Sequence, residues 1–175
     1  MRIRKGQKQI VMELDFGEAR LLSRTLALIR GDYRTVPAKL PPVVRDSWYS
    51  TSGCELASMD AEECLEWVNR LHEIKTERVE RLNRWIRRLA QCRSDRKVAL
   101  RLTIDAASDF MSIINDRRLL LAAQNEIGEE QMQARNFSVL ESLRPEQFAA
   151  LCEIDLLASL IDAMLRMLPG NCAQF

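Results

Sequence analysis

Twice along this chain a short run of alternating apolar and polar residues ends in a helix cap, and each time a helical apolar stripe follows at once. In the first unit Ile10, Met12 and Leu14 alternate with Val11 and Glu13 at the period of a strand. Asp15 and Glu18 then stand at capping-box spacing. Phe16, Ala19, Leu22, Leu26 and Ile29 repeat on one helical face as far as Gly31, a C-terminal stop signal. In the second unit Val98, Leu100 and Leu102 alternate with Ala99, Arg101 and Thr103, and Thr103 is placed to cap a helix running to Gly128. A strand that feeds straight into a helix buries the face on which that helix lands, so the two units prescribe a small sheet covered by helices. Gly6 lies in a polar turn, which makes residues 1–14 a β-hairpin, and residues 97–103 supply the third strand that a marginal two-stranded hairpin needs.

The remaining periodic segments are helical. Asp60 and Glu63 form a second capping box, opening a helix that the pattern carries to about Cys92. Leu65, Val68, Val79, Leu82, Ile86 and Leu89 follow a seven-residue repeat there, with His72 and Lys75 on the same repeat where apolar residues belong. Leu71 and Ile74 lie beside them, so the stripe is expected to rotate locally. The segments FMSIIN and RLLLAA are apolar nearly all round and mark residues 104–128 as the buried central helix. Pro145 suits the first turn of a last helix ending near Leu168, with a frayed tail at 171–175. Between the first two helices, residues 35–59 hold Pro37, Pro41, Pro42 and Gly53 and read as a long surface loop anchored by Trp48 and Tyr49. The expected fold is mainly α: one domain over residues 1–175, a bundle of about four helices with a small N-terminal β-hairpin plus a third strand. The helices of the two strand-to-helix units are expected to pack face to face.

Composition narrows the function. The chain has 175 residues, 47% of them hydrophobic and 29% charged, which fits a globular domain. Lys and Arg number 26 against 25 Asp and Glu, so bulk charge names no polyanionic partner. The N-terminus begins charged, with no apolar core of a signal peptide after it, and no segment is apolar enough to span a bilayer. The five cysteines, Cys54, Cys64, Cys92, Cys152 and Cys172, are odd in number and scattered. They read as free thiols of a cytoplasmic protein, and with one histidine they match no metal-ligand spacing. No cofactor is implied. His72 alone, without a nucleophile signature, argues against an enzyme.

Three constellations stand out. Asn115, Asp116, Arg117 and Arg118 interrupt the most apolar helix, and buried ions there demand partners on other elements, Glu73 or Glu77 of the long helix being candidates. The second is charge segregation: residues 70–101 carry eleven basic and four acidic side chains, while 104–175 carry five basic and eleven acidic. Arg78, Arg81, Arg84 and Arg88 form a basic face that can contact phosphates, although a solvated charged face, which needs no partner, is the first reading. The third is the wide apolar face of the last helix, where Leu157, Leu160, Ile161, Met164 and Leu168 are candidates for a homodimer interface. Its polar stripe of Asp155, Ser159, Asp162 and Arg166 is too acidic for a membrane-surface helix.

Taken in order, IVMELDFGEARLLSRTL, LHEIKTERVERL, IINDRRLLLAAQNEIG and LCEIDLLASLIDAML resemble an uncharacterised bacterial family, domain of unknown function two thousand and seventeen, found mainly in actinobacteria. The distinctive run is Asn115, Asp116, Arg118 and Leu119; Ala123 departs from the family, standing where its pattern has glycine. The resemblance implies no established activity and no catalytic residues. Genes of the family often lie beside that of the Clp protease adaptor ClpS, and some members are labelled transcriptional regulators. The resulting expectation is a non-enzymatic cytoplasmic protein that binds another protein, linked to Clp-type proteolysis and homodimeric. The alternative is a nucleic-acid-associated regulator acting through the basic face of the helix at 61–93.

Overall fold

A computed structural model of the chain describes residues 1–6, 8–49, 58–133 and 142–168. Strands β1 (Arg2–Lys5) and β2 (Gln9–Leu14) form the expected hairpin, and β3 (Val98–Thr103) pairs antiparallel with β2, giving the order β1-β2-β3. Register places Ile10 opposite Leu102 and Met12 opposite Leu100, so the alternating apolar residues share the inner face of the sheet. Helix α1 (Phe16–Tyr33) starts at the Asp15–Glu18 capping box, in which each side chain accepts the other residue's backbone N–H at 2.9 Å. Thr103 caps α5 (Ile104–Gln124) by accepting the Ala106 N–H. The protein is mainly helical with a small three-stranded antiparallel sheet, as the pattern predicts.

Four details differ from expectation. The helix expected over 60–92 is two helices, α3 (Ala61–Glu77) and α4 (Val79–Leu89), separated where the Arg78 N–H closes a tight turn onto the Lys75 carbonyl. No Pro or Gly marks that break. The loop expected over 35–59 contains a 3-10 turn at Pro37–Lys39 and a short helix α2 (Pro42–Trp48); residues 50–57 lie outside the described residues. Its aromatic anchors are as expected, since Trp48 and Tyr49 are both buried. The two unit helices do not pack chiefly on each other. Helix α1 lies mainly on α4, while α5 lies on α2 and on α7 (Pro145–Leu165).

Neither glycine expected to end a helix does so. Helix α1 runs through Gly31 to Tyr33, and a Cβ built on Gly31 meets open space. Helix α5 stops earlier than Gly128: Glu126 takes the left-handed conformation at φ 55°, its N–H bonds the Ala123 carbonyl, and the Ile127 N–H reaches back to Ala122 at 2.9 Å. This is the Schellman arrangement with glutamate where glycine usually stands, and Ile127 completes it by burying its side chain beside Leu121 and Ala122. The short helix α6 (Glu129–Gln133) follows.

The core is continuous from Ile10 of β2 through α1, α4 and β3 to Met164 of α7, with α5 at its centre. Ala107, Phe110, Ile113 and Ile114 of α5 are fully enclosed, as expected for the central helix. Two opposite substitutions follow from the helix ends. Gly31→Ala should stabilise the fold by about 0.5–1 kcal/mol by removing glycine's entropy cost in a helix. Glu126→Gly should stabilise it by a similar amount, about 0.5–1 kcal/mol, by relieving the left-handed backbone. Urea denaturation of each variant measures both shifts.

Candidate functional site

The polar run in α5 does not act as one cluster, because helical geometry sends its members to different neighbours. Asp116 points to the long helix, as expected, but its partner there is Lys75 rather than a glutamate. A carboxylate needs a cation, and the buried position that the heptad pattern assigns to Lys75 supplies it. The expectation that the stripe rotates past Lys75 is corrected: Lys75 is 7% exposed and Ile74 is turned outward. Its Nζ sits 2.5 Å from Asp116 Oδ2. The Tyr33 hydroxyl donates to the same oxygen at 2.5 Å, and the Trp48 indole N–H donates to the Asp116 carbonyl at 2.9 Å.

Around this ion pair the rings of Tyr33, Trp48 and Tyr49 face the ammonium, with centroids 5.1, 5.1 and 5.9 Å from Nζ. Aromatic faces attract a cation, more so when it is desolvated. Tyr33 and Trp48 meet edge to face at 5.3 Å. His72 is 3.3 Å from the Tyr49 hydroxyl through Nδ1, which gives the sole histidine a structural neighbour. Burial pulls the Lys75 pKa down, and the Asp116 carboxylate only partly restores it. Burial, followed by the Asp116 charge, raises both tyrosines, Tyr49 to about 12 and Tyr33 further. The enclosure binds α1, α2, α3 and α5 at one point; it is a structural centre.

Arg117 points the other way. Its guanidinium lies 3.1 Å from Glu153 of α7, and Thr25 of α1 donates to the same Glu153 oxygen at 3.3 Å. Asp32, half-buried, has its carboxyl raised by burial against the opposing charge of Arg117. Arg118 turns to Asn115, three residues before it, at 3.1 Å, and its Nε is buried without a hydrogen-bond partner.

The Arg117–Glu153 bridge lies in a groove between α1 and α7. One end is apolar, a cavity of about 150 Å³ lined by Leu14, Leu21, Leu22, Leu156, Leu157 and Leu160. The groove continues past Thr25 and the ion pair to Leu28 and Asn125, with Arg24 and Glu146 on its rim. Leu21, Leu28 and Leu156 remain 42, 44 and 40% exposed. These leucines were not among the expected site residues. Their signal is a second pair of leucines, 21 and 28, seven apart and one position off the core stripe at Leu22 and Ile29.

The expected dimer face is corrected. Leu157, Leu160 and Met164 are buried in the chain's own core, and Ile161 and Leu168 pack against it, because α5 takes that face as its cover. The outward apolar side chains of α7 are Phe148, Leu156 and Leu165. The expected basic face is also divided. Arg78 and Arg81 both pair with Asp109 of α5, which removes them as free cations. Arg84 stays exposed, and Arg88 donates to the Ala99 carbonyl and to Gln91.

Among the described residues, no group of three or more His, Cys, Asp or Glu is placed to hold a metal ion, and no helix is long and apolar enough to cross a membrane. Compared with known proteins, the chain matches no family model, no curated protein and no solved structure. The family resemblance therefore rests on the segments that carry it.

Two outcomes test the enclosure. Lys75→Met should cost about 2–4 kcal/mol in urea denaturation, since it leaves the partly buried Asp116 charge without its cation. The second is a titration. Tyr33 and Tyr49 are the chain's two tyrosines, and both have folded-state pKa values above the ordinary 10.0. Their contribution to stability is complete below that value and is lost as pH rises through the folded-state values. Phenolate absorbance should therefore lag free tyrosine above pH 10 and rise together with loss of helical circular dichroism, near pH 12.

Proposed function

We propose that the chain is a non-enzymatic cytoplasmic protein that binds another protein, using the groove between α1 and α7 as its docking surface. The occupant is an amphipathic helix of the partner. The observation that carries this reading is the lining: Leu21, Leu28 and Leu156 stand exposed around a floor of Leu22, Leu157 and Leu160. An apolar trough between two helices is what the apolar face of a third helix fits, with anchors repeating every three or four residues. Leu21 and Leu28, two turns apart on α1, offer contacts at that repeat. The Arg117–Glu153 pair crosses the floor and gives the trough a polar step, which selects partners carrying a polar residue at that level.

The family resemblance supports the same class of function and makes a component of Clp-type proteolysis the first partner to seek. The enclosure of Lys75 serves this role indirectly, by fixing the end of α1 and the middle of α5.

Tagged protein recovered from a native lysate, with and without nuclease, tests the proposal against a Leu21→Asp/Leu156→Asp variant. Both leucines are exposed, so the variant should keep its helical circular dichroism. Nuclease-resistant protein partners should be recovered with the parent and fall at least about tenfold with the variant, the loss expected when central apolar anchors are removed. Equal recovery by the variant, or no protein partner that survives nuclease, would overturn the reading.

A further inference from the structure

The pairing of β2 with β3 joins two basic segments that are far apart in sequence. On the outer face of the sheet Arg4 and Arg101 lie on either side of Val11, each in direct register with it. Val11 points outward yet is buried, which the aliphatic stems of the flanking arginines account for. Arg2 lies on the same face, opposite Glu13.

The end of α4 extends this face along the free edge of β3. Arg88 donates to the Ala99 carbonyl at 3.3 Å, so the helix end and the strand edge touch there. The turn between them carries Arg93, Arg96 and Lys97, which with Arg88 line a surface pocket. Four residues back along a helix and two on along a strand are both steps of about 6–7 Å. Arg84 and Arg101 thus continue the line away from the turn. All of these side chains are exposed. Among the described residues Arg2, Arg84, Arg93, Lys97 and Arg101 have no acidic partner within 4.0 Å, whereas Arg4 shares Glu13 and Arg96 shares Asp95. On a chain of net charge +1 this is a concentrated positive surface.

We infer that this surface, the outer face of the sheet with the end of α4 and the turn after it, binds the phosphate backbone of nucleic acid. Two observations favour phosphate over an acidic protein. Most of the cations are arginines, whose planar fork of donors matches phosphate oxygens. No large apolar side chain between residues 79 and 103 is exposed, so the surface lacks the anchors on which protein partners depend. Arg78 and Arg81, neutralised by Asp109, take no part. The surface shares no residue with the leucine groove, and either reading can fail without the other.

Fluorescence anisotropy with labelled duplex and single-stranded oligonucleotides of mixed sequence tests this on the full chain. At least one should bind, with affinity falling steeply as salt rises, since each phosphate contact releases counterions. Arg84→Glu/Arg93→Glu/Arg101→Glu should weaken binding at least about tenfold and flatten the slope of log affinity against log salt by about three. Arg70→Glu, an exposed reversal on α3 away from this surface, should leave binding within about twofold of the parent and serves with circular dichroism as the control for folding. The inference is overturned by no binding to either oligonucleotide at low salt, by an unchanged affinity in the triple variant, or by equal weakening in Arg70→Glu. It is also overturned if only an acidic polypeptide, poly-glutamate, binds the same side chains.

Discussion

The pair formed by buried Lys75 and partly buried Asp116 is the constraint around which the helices are arranged. An ammonium and a carboxylate removed from water are costly, and only a complete set of partners makes the site tolerable. Here the set comes from four elements: α3 supplies the cation, α5 the anion, α1 the Tyr33 hydroxyl, and α2 with the residue after it the rings of Trp48 and Tyr49. None of these four can shift without leaving a charge or a hydroxyl unpaired in a low-dielectric place. That gives the segment from Pro37 to Tyr49 a fixed position although it has little regular structure. It also ties α3 to the core at its C-terminal end, through the one lysine of the chain that is buried.

How much of this was legible follows from which signals are local. Caps are local, and Asp15, Asp60, Thr103 and Pro145 each marked a helix start that the fold adopts. Strand alternation is local too, and it specified β2 and β3 and the faces they bury, while the Gly6 turn implied β1. Helix ends were less legible, because a glycine is permitted to end a helix but not obliged to. Gly31 continues α1, and Glu126 accepts the left-handed position two residues before Gly128 because burying Ile127 compensates. The break at Arg78 left no trace, since a tight turn between two helices needs no special residue.

The site was legible in kind but not in partner. The polar run around Asp116 needed partners on another element, for which the long helix offered Glu73 and Glu77, and Lys75 stood on the heptad repeat as an apparent fault. Those two anomalies explain each other, but neither alone names the other. The wide apolar face of the last helix was misassigned for a simple reason: sequence gives the width of a face and not the number of elements that cover it. With α5 beneath it, Leu157, Leu160 and Met164 are all used within the chain's own core. What remains outside, Leu156 of α7 with Leu21 and Leu28 of α1, is not one stripe in sequence but two half-stripes that only the packing brings together.

The two proposed surfaces meet at the N-terminal strand, and the topology dictates it. Met1 and Leu14 line the apolar end of the groove, while Arg2, one residue on from Met1, pairs in register with Glu13 on the outer face of the sheet. A strand alternates its side chains between faces, so adjacent residues of β1 and β2 serve opposite sides of the sheet.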